Sequence, residues 1–171
     1  MTKRRETVGE MMDRFRSDPA WVAARKEEDR RRVAWVAKLQ LEEQPLVAAL
    51  RSVGIAVDSV WDLVNTGKPY PEAIPVLLEH LGKPYHPRNR EGIVRALSVK
   101  EAREAAWEPL LKEYEKQPGA EEHLPPEMRG LKDALASAVS FLAGRKRIPE
   151  MLRLARDRRH GPSRVFFVED L

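Results

Sequence analysis

Four histidines, no cysteine and an arginine-rich C-terminal stretch are the chemistry-bearing residues of this chain. Two of the histidines occupy matched positions. Residues 74–97 (IPVLLEHLGKPYHPRNREGIVRAL) align without a gap on residues 148–171 (IPEMLRLARDRRHGPSRVFFVEDL), 74 residues further on, so that His86 falls on His160 and Arg90 on Arg164. Imidazole titrates near neutrality and ligates metals, so a repeated histidine invites an acid–base or metal reading. Such sites need convergent groups, and equivalent turn positions two repeats apart do not converge. No His/Asp/Glu set has ligand spacing, and no metal site is expected. The repeated residues are read as turn chemistry instead: each histidine hydrogen-bonds within its turn, and Arg90 and Arg164 reach backbone carbonyls or carboxylates of neighbouring repeats.

The other catalytic vocabularies are missing from the text of the sequence. It contains no GxSxG, Walker A loop, GxGxxG or HExxH, and without cysteine there is no thiol nucleophile or disulfide. Trp107 and Glu108 are the nearest thing to a base-stacking aromatic beside a carboxylate, but Ala105 and Ala106 next to them favour a core role for Trp107. Trp21, Trp35 and Trp61 fall on helical stripes in the same way. The reading is non-enzymatic, with no cofactor and no small-molecule substrate.

Charge carries the remaining signal. Of the net +4, residues 145–171 hold eight Lys and Arg against four Asp and Glu, while residues 71–144 hold ten against twelve. Arg145, Lys146, Arg147, Arg153, Arg156, Arg158, Arg159 and Arg164 would attract an acidic protein or nucleic acid. The N-terminus has basic residues but no apolar stretch of a signal peptide, and no apolar run approaches the roughly 20 residues a spanning helix needs. A cytoplasmic protein without membrane contact is expected.

The elements that would position these groups are helices. Asp18-Pro19 is a helix start, and the stretch KEEDRRR after it places opposite charges three or four residues apart, which supports one long exposed helix. Gln44-Pro45 breaks it; a short helix with Leu46, Val47 and Leu50 ends near Gly54. Another, opened by Asp58 or Ser59, carries Val60, Leu63 and Val64 and stops at Gly67. Ile74, Leu77, Leu78 and Leu81 form one stripe, and Ile93, Val94 and Leu97 mark a facing helix. A helix over 100–116, bent at Pro109, is followed by a loop over 116–126. Leu131, Ala134, Leu135, Ala138, Val139 and Leu142 make the most regular stripe, stopped by Gly144. Ile148, Met151, Leu152 and Ala155 then mirror the first stripe, and Phe167, Val168 and Leu171 are expected to fill a last facing helix.

Self-similarity at this period indicates stacked helical repeats. The Ile-Pro-x-x-Leu-Leu first helix, the turn, and the second helix with an early Arg and a terminal apolar-x-x-Leu resemble the HEAT family, particularly its short bacterial type, over 70–171. His stands where that family usually places Asp in the turn. The resemblance implies an all-α fold: a right-handed α-solenoid of about three HEAT-like pairs (70–98, 99–144 and 145–171, the last either frayed or cut from a longer array) behind an N-terminal helical cap over 1–69. It also implies a scaffold that binds a protein partner through its extended surface, with Arg88, Arg95, Arg156, Arg158, Arg159 and Arg164 as candidate partner-binding residues. Nucleic-acid binding through the basic last unit is the alternative, and a DNA-glycosylase-like enzyme a third reading.

Overall fold

The computed structural model describes residues 7–119 and 123–168. Among them every regular element is helical, and the contacts divide the chain into two compact units, Met1–Lys38 and Leu39–Leu171.

The first unit begins with helix α1 (Val8–Ser17), which the sequence reading had not singled out. Thr7 and Glu10 close a capping box: Glu10 N donates to Thr7 Oγ1 at 3.3 Å and Thr7 N donates to the Glu10 carboxylate at 2.9 Å, which satisfies two orphan amides of the first turn. Asp18 then accepts from Ala20 N at 2.9 Å, and with Pro19 it opens α2 (Pro19–Glu42), the long exposed helix expected. Glu27 pairs with Arg30 and Arg31, and Asp29 with Arg25 and Arg32. These pairs, each worth a few tenths of a kcal/mol, support a helix that buries almost nothing. Leu39 is the one buried residue of α2, and α1 has none.

In the second unit, α3 (Gln44–Ser52) and the single turn α4 (Trp61–Val64) precede three pairs: α5 (Ala73–Leu81) with α6 (Pro87–Leu97), α7 (Arg103–Lys116) with α8 (Leu131–Ala143), and α9 (Ile148–Arg156) with a 3₁₀ segment (Arg158–Phe167). Pairs touch in order: α3 meets α5, α5 meets α7, α4 meets α6, α6 meets α8, and α8 meets the 3₁₀ segment. One core runs through them, from Leu46 and Leu50 through Leu77, Ile93 and Leu97 to Leu110, Leu135, Leu142, Leu154 and Phe167, all 0% exposed. Residues 39–69 thus contribute to the same core as the three pairs that follow.

Three expectations need correction. The helix opened near Ser59 is only α4, and it stops at Asn65 rather than Gly67. Ile148 does not mirror Ile74: it is 39% exposed, and α9 buries Met151 and Leu154 instead. The last facing helix is not α-helical. Gly161 (φ 64, ψ −145) and Pro162 interrupt it, and Val168 is exposed; Leu171 lies outside the described residues. The cause is a backbone contact: a Cβ on Gly161 would sit 1.8 Å from Gly119 O, and one on Gly119 would sit 1.8 Å from Arg159 O. Two chains that close need glycine on both sides.

Candidate partner-binding surface

Several polar side chains are buried in the second unit, among them Glu43, His80, Asn89, Glu91, Glu113, Lys132 and His160. Glu42 accepts from His86 N and from Asn89 Nδ2, both at 2.8 Å, and Asn89 also donates to Leu39 O at 3.0 Å. This ties the end of α2 to the start of α6. Glu43, 2% exposed, accepts from Ser59 Oγ and Val60 N at 3.1 Å each, and burial pushes its carboxyl above the usual range. Arg90 donates to Glu113 at 2.8 Å, and Lys116 pairs with the other oxygen of that carboxylate at 2.6 Å.

The two repeated histidines do different work. His86 caps α6: its Nδ1 accepts from Arg88 N at 3.1 Å, the turn role read from the sequence. His160 is 5% exposed, with its ring 4.7 Å from that of Tyr114 and its Nδ1 3.1 Å from Lys132 Nζ. That ammonium is itself buried, donates to Tyr114 O at 2.9 Å and Gln117 O at 3.1 Å, and lies 3.9 Å from the centre of the Tyr114 ring. Lys132 is therefore a C-terminal cap of α7, where unpaired carbonyls and the negative end of the helix dipole favour a cation. Burial first, and Lys132 second, lower the His160 pKa, so Nδ1 is free to accept. Tyr114 OH pairs with Ser163 Oγ at 3.0 Å, and burial pushes its pKa up to about 12. Sequence reading missed this cluster because a lone Lys on a helical stripe gives no sign of which carbonyls it will meet.

The six arginines proposed for partner binding separate into three groups. Arg88 and Arg95 both hold Glu91, at 2.8 Å each, and Arg88 stacks 3.9 Å over Trp61. Arg164 donates to Gly161 O and Ala155 O, and Arg159 to the Asp157 carboxylate; the Arg159 side chain holds that carboxyl well below its ordinary value. Arg156 and Arg158 are exposed and form no ion pair with the described residues. Trp107 is buried as expected, with the Arg147 guanidinium 4.6 Å above its ring.

The surface holds a feature that no motif announced. Phe141 and Ile148, 45% and 39% exposed, line an open groove between α8 and α9 together with Ser140, Ala143, Gly144, Arg145 and Met151. Gly144, at φ 60, turns the chain there and places Arg145 on the rim, with Lys146 next to it. Both cations are exposed and unpaired among the described residues. No group of three or more His, Asp or Glu among the described residues could hold a metal ion, and none of the described helices is long and apolar enough to cross a membrane. No family model, curated protein or solved structure matches this chain.

Proposed function

We propose that this chain is a non-catalytic helical scaffold, a short solenoid of stacked pairs, that binds an acidic segment of a protein partner along the α8/α9 groove. The observation that carries the reading is the exposed Phe141/Ile148 pair beside Arg145 and Lys146, cations with no carboxylate partner among the described residues. Partner surfaces commonly combine an aromatic anchor with a charged rim. The ordered contacts α3–α5–α7 and α4–α6–α8 support the solenoid reading, since stacked pairs leave an extended ordered surface. The buried histidine, lysine and tyrosine support the non-catalytic reading, because each is engaged in capping or packing.

A photo-cross-linking residue in place of Phe141 tests this in cell extract. It is expected to trap a protein, and Arg145→Glu with Lys146→Glu should abolish the product. No adduct would overturn the reading. A nucleic-acid adduct, with affinity falling steeply as salt rises, would replace it with the nucleic-acid alternative.

A further inference from the structure

Helix α1 buries none of its residues, yet its apolar and charged side chains are sorted around its axis, and we propose that α1 lies on the surface of an anionic lipid bilayer. At about 100° per residue, Val8, Met11, Met12 and Phe15 share an arc of about 100°. Arg16 falls about 40° beyond Met12 on one edge of that arc, Arg14 falls about 60° beyond Met11 on the other, and Glu10 and Asp13 stand on the opposite side. The apolar arc and both arginines therefore face one interface, with the carboxylates away from it. The Arg14 guanidinium lies 5.4 Å from the centre of the Phe15 ring. Across the break at Asp18, Trp21 stacks on Phe15 with ring centres 6.0 Å apart and widens the apolar patch. The face is uncovered: Val8 is 73% and Met12 36% exposed.

The signs at the two edges select what covers it. Two α1 faces from separate copies would set arginine against arginine along both edges. An anionic bilayer instead offers negative headgroups on either side of an apolar interior, and arginine reaches them while its stem lies along the apolar side chains. Arg16 also pairs with Asp13 at 3.7 Å, but with 69% and 79% of the two side chains exposed such a pair holds the arginine weakly. Lys3, Arg4 and Arg5 precede the helix in the sequence, and a short apolar face with a basic cluster combines two anchoring signals. The Phe15–Trp21 pair favours a bilayer over an acidic protein groove, because tryptophan concentrates at headgroup level. The expectation of no membrane contact rested on the lack of a spanning segment, which a helix lying on the surface does not need. This contact is separate from the α8/α9 groove.

The test is flotation of the full chain with vesicles of phosphatidylcholine, with and without phosphatidylserine, at low and high salt. Wild type is expected to float with the phosphatidylserine vesicles alone, and less as salt rises. Arg14→Glu with Arg16→Glu should weaken binding by at least about 30-fold, about fivefold for each surface cation lost. Arg156→Glu with Arg158→Glu makes the same change of net charge and should bind like wild type. The chain has no cysteine, so a single environment-sensitive fluorophore can be attached at Met12→Cys or Asp13→Cys. Only the first should shift to the blue on anionic vesicles, and circular dichroism verifies the fold of each variant. A wild type that does not float, equal binding to neutral vesicles, a folded Arg14/Arg16 variant that binds like wild type, or equal shifts at positions 12 and 13 would each overturn the proposal. Cross-linking of position 12 to a protein in extract, without flotation, would assign the face to a protein instead.

Discussion

Replacing Lys132 with Met tests whether the buried ammonium holds the α7/α8 joint together or is merely tolerated there. Met has nearly the volume of the lysine stem, so packing around Tyr114 is kept and the change removes the donors. Nζ serves Tyr114 O at 2.9 Å, Gln117 O at 3.1 Å and His160 Nδ1 at 3.1 Å. Hydrogen bonds to a charged group contribute about 1.5–3 kcal/mol each, so three contribute about 5–9 kcal/mol. Removing a buried ammonium returns several kcal/mol of desolvation. The balance is a loss of about 2–4 kcal/mol, a large part of the 5–15 kcal/mol typical of a domain. For a unit of this size that lowers the melting temperature by about 8–15 °C. Urea unfolding followed by circular dichroism measures it as a lower midpoint at unchanged slope. Many buried charges can be replaced by apolar groups at no cost, and a Lys132→Met chain as stable as wild type would put Lys132 in that class and refute its role as a cap.

Four further measurements probe the rest of the second unit. Burial, with Lys83 beside His80 and Lys132 beside His160, lowers both histidine pKa values; the unfolded chain then takes up protons first, so stability is full above about pH 6.5 and falls as pH drops toward the folded values. A urea midpoint that stays flat or rises from pH 7 to 5 would contradict this, and His160→Gln should reduce the slope. Gly92→Ala places a Cβ 2.5 Å from Val60 Cγ1 and 3.1 Å from Trp61 Nε1 and should cost about 1–3 kcal/mol in thermal unfolding, whereas Gly67→Ala, with open space around it, should be neutral or stabilise by about 0.4–1 kcal/mol. Glu113→Gln weakens its bonds from Arg90 and Lys116 and should lower stability by about 1–2 kcal/mol, read from the urea midpoint.

What could be read from the sequence followed periodicity and caps. The stripes of α5, α6 and α8 bury the residues that their spacing selects, except Leu78, which is half-buried, and Asp18-Pro19, Gln44-Pro45 and Gly144 mark boundaries where backbone chemistry demands them. The capping box at Thr7 and Glu10 was equally legible, and Val8, Met11, Met12 and Phe15 fall on one stripe of α1, although no residue of that helix is buried. The echo between 74–97 and 148–171 failed where tertiary contacts overrode the local pattern. Matching the histidines placed His160 in a turn like that of His86, but the approach of Gly161 to Gly119 turns the segment inward and puts the ring on Tyr114. A contact across some forty residues of chain leaves no local trace.

The arginines show why a basic segment is a poor guide to a binding site until its partners are known. Within 145–168, Arg147 is held by Glu104 and by the carbonyls of α8, Arg153 by Glu115 and Glu150, Arg159 by Asp157, and Arg164 by the carbonyls of Ala155 and Gly161. A guanidinium already in a fixed fork gains less from a new carboxylate, because it must share or exchange donors. Arg145, Lys146, Arg156 and Arg158 keep theirs, and of these Arg145 lies on a groove with exposed apolar side chains. On the proposed reading, charge alone would spread recognition over the whole segment, whereas charge without a carboxylate among the described residues, next to exposed Phe141 and Ile148, would concentrate it at the α8/α9 turn. Reversal at Arg145 should therefore weaken partner binding far more than reversal at Arg159, although Arg159 is the more exposed pair member at 84%.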